Sequence, residues 1–265
     1  MSQFQPFRLL LAASLLAFSA ILGSLLSGSV DLSFSDLMSY VLGDLPDLQR
    51  QVFEDIRLPR TLAAFVTGAA LALAGVLMQV LLRNPLADPY ILGLSGGAAV
   101  GALASIMLGL GGWWLSGTAF VGALISVGVV FGIASRAGSW STTHLLLTGV
   151  VVSAGWGALI NLMLSTSASA SVQGMLFWLM GDLSQSSVGP AQIGVLVVGA
   201  ALAMRAARSL NVLVRGDLAA ASLGVDIKRL RLSLFFGASL LTVIAVTTAG
   251  SVGFVGLVVP HMLRL

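Results

Sequence analysis

Cysteine is absent and charge is scarce: of 265 residues, only 13 are Lys or Arg and 10 are Asp or Glu. The first absence excludes disulfides and thiolate metal sites, and leaves the redox compartment open. The second excludes a soluble globular domain, in which about a quarter of residues are charged. Here 9% are charged and 57% hydrophobic, with a mean hydropathy of +1.02. Lysine occurs once, as Lys228 in Val-Asp-Ile-Lys. A phosphate-gripping Gly-x-x-x-x-Gly-Lys-Ser/Thr loop is therefore missing, and any ATPase must be a separate polypeptide. No Asp, Glu, His, Lys or Arg falls between Pro89 and Ser135, Leu145 and Gly181, or Leu183 and Met204. Proton-coupled carriers rely on intramembrane Asp, Glu or His, and an intramembrane enzyme needs paired catalytic groups, so both classes are disfavoured. No group of His, Asp or Glu has metal-ligand spacing. Neither a metal nor a cofactor is expected, and no catalytic residue is assigned.

What is abundant is apolar sequence with clear punctuation. Thr61 to Leu82 contains no ionisable side chain. At 1.5 Å per residue that run matches the roughly 30 Å hydrocarbon core of a bilayer. It is preceded by Arg57-Leu-Pro-Arg60 and closed by Arg83-Asn-Pro-Leu-Ala-Asp-Pro89, and a Gly-rich segment follows with Gly93, Gly96, Gly97 and Gly101. Further apolar segments lie near 9–28, 90–111, 113–135, 144–166, 190–204, 232–249 and 252–265. The expected fold is all-α and polytopic, about eight transmembrane helices in a single domain over 1–265. The first run is long for a signal peptide and reads as an uncleaved anchor. The chain ends at Leu265 in or beside a hydrophobic stretch, which reads as a truncation and a transport-incompetent fragment.

Basic residues set the expected orientation. With the amino terminus in the cytoplasm, the inner side holds Arg8, Arg83, Arg136, Arg205, Arg208, Arg215, Lys228, Arg229, Arg231 and Arg264. The outer side then holds only Arg50, Arg57 and Arg60, together with Asp31, Asp36, Asp44, Asp47, Glu54, Asp55 and Asp182. This asymmetry accounts for the pI of about 10.2 without nucleic acid.

Residues 205–231 read as a long cytoplasmic loop. Within it, Gly216-Asp217-Leu-Ala-Ala-Ala-Ser-Leu-Gly224 reads as a short helix with Asp217 near its start and Gly224 as its C-cap. Small residues Ala219, Ala220 and Ala221 would let a partner surface approach closely; a solvated basic loop is the plainer reading. Arg57 and Arg60, three residues apart across Leu-Pro, fall on one side of a helix start, with Pro59 suited to its first turn. Pairing with the adjacent Glu54 and Asp55 is the competing role. His144, His261, Met175, Trp178 and Met180 read as structural, and the glycines at 93–101 as helix packing.

The chain resembles the permease subunits of type II ABC importers for iron–siderophore complexes, haem and cobalamin. The resemblance rests on R-L-P-R at 57–60, Q-V-L-L-R-N-P-L-A-D-P at 79–89, L-G-L-S-G-G-A at 92–98, F-W-L-M-G at 177–181, G-D-L-A-A-A-S-L-G at 216–224 and G-S-V-G-F-V-G-L-V-V-P-H-M-L-R at 250–264. It implies a ten-helix permease in the bacterial inner membrane that pairs as a homodimer amid lipid. It also implies two cytoplasmic ATP-binding subunits and a periplasmic or extracellular substrate-binding protein. By that resemblance Arg57 and Arg60 meet acidic residues of the binding protein. Gly216, Asp217, Ala219, Ala220, Leu223 and Gly224 couple to the ATPase. The span from about His144 to Thr166 lines the path, with Asn161, Thr166, Ser167 and Ser169 as gate candidates. Hydroxyls there could equally bond to their own helix backbone. The runner-up is an ion-coupled secondary carrier, which would bind cargo within its own spans.

Overall fold

In the computed structural model, described for residues 5–28, 30, 32–136, 142–184 and 186–263, helices account for almost all regular structure and no strand occurs among the described residues. Asp31, Arg264 and the side chain of Arg136, all part of the expected charge asymmetry, lie outside the described residues. The chain forms two compact units, residues 1–65 with 183–187 and residues 66–182 with 188–265.

The first unit contains α1 (Gln5–Leu26), α2 (Phe34–Leu42), α3 (Asp47–Gln51) and the start of α4 (Leu58–Leu82). A π-helical segment, Val52–Arg57, joins α3 to α4, so helix is continuous from Asp47 to Leu82. The sequence accounts for α2 well. Ser33 and Asp36 form a reciprocal capping box, and Gly43 ends the helix in a left-handed conformation at φ 88°. Hydrogen bonds from the Ser33 backbone N–H and hydroxyl hold the exposed Asp36 carboxyl below its usual pKa. A small apolar cluster of Leu25, Leu32 and Phe53 packs this unit.

The second unit carries the rest of α4, then α5 (Leu94–Met107), α6 (Trp113–Arg136), α7 (Thr142–Thr166), α8 (Ser169–Met180), α9 (Pro190–Val214), α10 (Asp217–Ser222), α11 (Ile227–Ala249) and α12 (Val255–Met262). Five helical stretches are long and apolar enough to cross a membrane: Asp47–Leu82, Trp113–Ser135, Thr142–Thr166, Pro190–Val214 and Ile227–Ala249. Shorter apolar helices cover Leu10–Leu26 and Leu94–Met107. The protein is a polytopic helical membrane protein. Each of the eight expected apolar segments lies on a helix, with two departures in length. The 90–111 segment divides into a 3-10 turn (Pro89–Leu92), a left-handed Gly93 and α5. In the last segment the described residues form the eight-residue α12, about 12 Å long.

Helix α5 is the hub of this unit, packing against α6, α7, α8 and α11. Its approach to α6 is set by absent side chains. A Cβ on Gly122 would lie 2.1 Å from the Gly97 carbonyl oxygen, and one on Gly101 2.1 Å from that of Thr118. Small residues four apart on each helix thus let two backbones touch, which in lipid replaces the missing hydrophobic drive between helices. Gly122→Val is expected to lower the thermal midpoint of the detergent-purified protein, at a cost of about 3 kcal/mol or more, because the opposing atoms are backbone and cannot swing away. Gly128→Val, on the same helix with nothing within 4 Å of its added Cβ, should leave the midpoint near that of the parent.

Four of the six sequence blocks contribute to packing seams. Gly250, at φ 71°, would place a Cβ 2.7 Å from the Trp178 carbonyl oxygen, so blocks 177–181 and 250–264 meet there. Gly75 would place one 1.8 Å from the Gly256 carbonyl oxygen, and Gln79 donates to the Leu257 carbonyl at 3.3 Å. A buried polar chain secures the α5 start: Trp156 Nε1 donates to Ser126 Oγ, which donates to the Gly93 carbonyl, each at 2.9 Å.

Candidate functional site

Three places carry the candidate residues, and the structure treats them differently. At the α1–α4 end, Arg57 closes the π-helical segment and turns inward. The residue is only 6% exposed. Its Nη1 donates to the carbonyls of Leu25 (2.8 Å) and Leu26 (2.9 Å), and its Nη2 donates to that of Val30. Those oxygens belong to the last turn of α1 and the chain just beyond it, where a helix leaves carbonyls without intrahelical donors. A guanidinium there satisfies three acceptors at once and complements the negative end of the helix dipole. Gly28 leaves room for it, since a Cβ at that position would lie 2.6 Å from Arg57 Nη2.

Arg57 is thus a cap for α1. This corrects the expectation that it projects beside Arg60, and equally the competing one that it pairs with Glu54 or Asp55. The physical reason is burial: three orphan carbonyls hold the guanidinium more strongly than exposed carboxylates would. Arg60 alone of the two is exposed, and it lines a cleft of about 430 Å³ with Ser24, Ser27, Gly28, Arg57 and Thr61, among others. Ser24 and Thr61 share a hydrogen bond of 2.8 Å on its wall.

At the α10 end, the expected short helix is present. Gly216 (φ 121°) is its N-cap and Asp217 its first residue. Leu223 is the C-cap, one residue earlier than the expected Gly224, which follows it in a left-handed conformation at φ 76°. The expected long loop is mostly helical, because α9 continues through Arg205 and Arg208 to Val214. Ala220 is fully buried in the apolar core and does not face a partner; Ala219 is half-buried. What α10 presents is leucine: Leu218 is 90% exposed and Leu223 is 68% exposed. Leu218 went unnoticed in the sequence, where it sits directly after Asp217 and before three alanines.

Asp217 does not face outward as a free charge. Its carboxylate receives Arg231 Nη2 at 2.9 Å on both oxygens and Arg83 Nη2 at 3.3 Å. The Arg83 partner could not be inferred from the sequence, since it lies 134 residues away, and Arg231, 14 residues on, is one of several basic residues in the same stretch.

The third place is the end of α7. Asn161 is exposed, whereas Thr166 and Ser167 spend their hydroxyls on the backbone of their own helix, Thr166 on the Leu162 carbonyl at 2.8 Å and Ser167 on that of Met163. Ser169 opens α8 with Ala168 as N-cap. The structure therefore brings Thr166, Ser167 and Ser169 together as a helix-to-helix turn. No group of three or more His, Asp or Glu able to hold a metal occurs among the described residues.

Residues 15–265 match the model of the FecCD transport family. The chain belongs to that family. It is 41% identical over 227 residues to the cobalamin import system permease protein BtuC of Halobacterium salinarum, covering 83% of this chain and 60% of that one. It is 39% identical over 266 residues to the vitamin B12 import system permease protein BtuC of Salmonella typhi, covering 97% of this chain and 78% of that one. Among solved structures, a protein assigned to the metal-chelate type of ABC transporter, in an inward-facing conformation, superposes with a TM-score of 0.84. It is 29% identical and is covered over 80% of its length by 97% of this chain. The chain thus spans three-fifths of one such relative and about four-fifths of the others. FecCD membership accounts for the six blocks, and four of them contribute to the helix–helix seams described above.

Proposed function

We propose that this chain is the membrane-spanning permease subunit of an ATP-driven importer whose cargo is a metal chelate of the cobalamin class. Two relatives near 40% identity that are named as cobalamin or vitamin B12 permeases support the cargo. The observation that carries the mechanism is α10: a short helix with two bare leucines, rooted by ion pairs to the ends of two longer helices. A lipid-facing loop has no need of such a root, whereas a lever pushed by a soluble ATPase does.

In this reading the amino terminus is cytoplasmic and α10 lies at the cytoplasmic face of a bacterial inner membrane. A separate ATP-binding subunit docks on Leu218 and Leu223. A substrate-binding protein docks on the outer side of the membrane through Arg60, whose exposed charge acts on encounter rate more than on affinity. Two copies of the permease enclose the path along α7, where Asn161 is a rare amide on an otherwise apolar or small-residue face, and an amide in a bilayer seeks a polar partner across helices. Haem and iron–siderophore complexes are the competing cargoes.

The test is reconstitution. Liposomes carrying the full permease, its ATPase and its binding protein should accumulate cobalamin only with internal-facing ATP. Uptake driven by an ion gradient with no ATPase present would refute the proposal in favour of a secondary carrier. ATP-driven uptake of haem or a ferric siderophore in place of cobalamin would refute the cargo alone.

A further inference from the structure

The geometry points to Asp217 as a positioning residue: a carboxylate clamp that fixes α10 to the ends of α4 and α11, so that force on the leucine tip moves both helices together. This rests on the reading of α10 as the ATPase-facing lever. It adds how the lever is joined to the helices it must move.

The first observation is a backbone irregularity. Helix α4 ends with Arg83 N–H bonded to the Val80 carbonyl and Asn84 N–H to the Gln79 carbonyl, the paired bonds that close a helix through a left-handed residue. That residue is Arg83, at φ 49°. Glycine is the usual occupant because it bears no Cβ to strain, and an arginine there gives up backbone stability. Its side chain supplies the compensation by reaching Asp217 at 3.3 Å.

The second observation is burial. Arg231, in the first turns of α11, has a side chain only 10% exposed and directs Nη2 to both oxygens of Asp217 at 2.9 Å. One carboxylate therefore holds two guanidiniums from two different helices. Removing it would leave two like charges side by side, one of them nearly buried, and they would part.

The third is mechanical. Asp217 is the first residue of α10, and the buried Ala220, one turn on along the same face, fixes the helix to the core, with Val225 N–H bonded to the Ala220 carbonyl at 3.0 Å. Asp217 and Ala220 hold the root while Leu218 and Leu223 stay bare. A helix of six residues pushed at its tip would rock on Ala220 alone. With the clamp it cannot.

Two variants separate the clamp from the fold. Arg83→Gly relieves the left-handed backbone and removes the ion pair, so it should fold at least as well as the parent. Asp217→Asn keeps size and removes charge, and Asp217→Glu is the conservative control. In the reconstituted complex of full permease, ATPase and binding protein, both Arg83→Gly and Asp217→Asn should still copurify with the ATPase, since the leucine tip is intact. ATP hydrolysis should stay within about twofold of the parent. Cobalamin imported per ATP should fall about tenfold or more, and Asp217→Glu should restore most of it. Amide exchange over residues 218–225 should quicken about tenfold in Arg83→Gly and Asp217→Asn. An unchanged import-to-hydrolysis ratio, or unchanged exchange, in those two variants overturns the clamp while leaving the ATPase docking intact. Failure of the unmodified permease to retain any ATPase overturns the reading of α10 itself.

Discussion

Arg57→Gln is expected to destabilise the permease by about 3–5 kcal/mol, seen as a fall in its thermal midpoint and in the yield of monodisperse protein from detergent. The estimate follows from what is left behind. Three carbonyls at and just beyond the end of α1 lose a charged donor in a site where Arg57 is only 6% exposed. Each acceptor orphaned in such a place costs about 1–3 kcal/mol, reduced here by the shorter glutamine regaining one of them. Arg57→Lys should fare little better, because an ammonium cannot span oxygens from Leu25 to Val30 as a planar fork does. Gly28→Val should reproduce the defect from the opposite side, since its Cβ would occupy the position of the guanidinium. Arg60→Glu, by contrast, should leave the midpoint unchanged and slow association of the binding protein, with a weaker dependence on salt. A stable Arg57→Gln protein with slowed association would return Arg57 to the docking surface and refute its role as a cap.

How much of this was legible beforehand depended on the range of the interactions. Helix existence was legible because uncharged apolar runs have one physical solution in lipid, where every backbone group must bond within its own segment. The α10 unit was legible because its signals are local: an acid at the first turn and a glycine just past the end. The glycines at 93–101 read as packing, and Gly97 and Gly101 do touch the α6 backbone. What failed was direction. Arg57 and Arg60 look equivalent in a linear text, yet the π-helical turn ending at Arg57 aims the first at α1 and leaves the second in the open. Ala220 looked like a contact surface because it is small, and it is small because it lies at the core. The partners of Asp217 come from segments brought together only by folding, which no local pattern encodes.

That misdirected alanine leads to the second large effect. Ala220→Arg is expected to unseat α10 within the permease itself, since a buried site with no exposure would have to accept both extra volume and a cation. Its loss of ATPase would then say nothing about docking. The informative substitution is Leu218→Arg with Leu223→Arg. Both side chains are already in the open, at 90% and 68% exposure, so the permease alone should keep its thermal midpoint. Burying two leucines against a partner contributes about 1.5–3 kcal/mol each. Forfeiting both, about 3–6 kcal/mol, weakens association by a factor on the order of 10² to 10⁴. Copurified ATPase should therefore fall below detection while Asp217 still holds Arg83 and Arg231, and amide exchange in α10 stays at the parental rate. Full ATPase retention by the double variant would mean that the leucines face water or lipid in the working complex, and the ATPase would have to dock elsewhere on the chain.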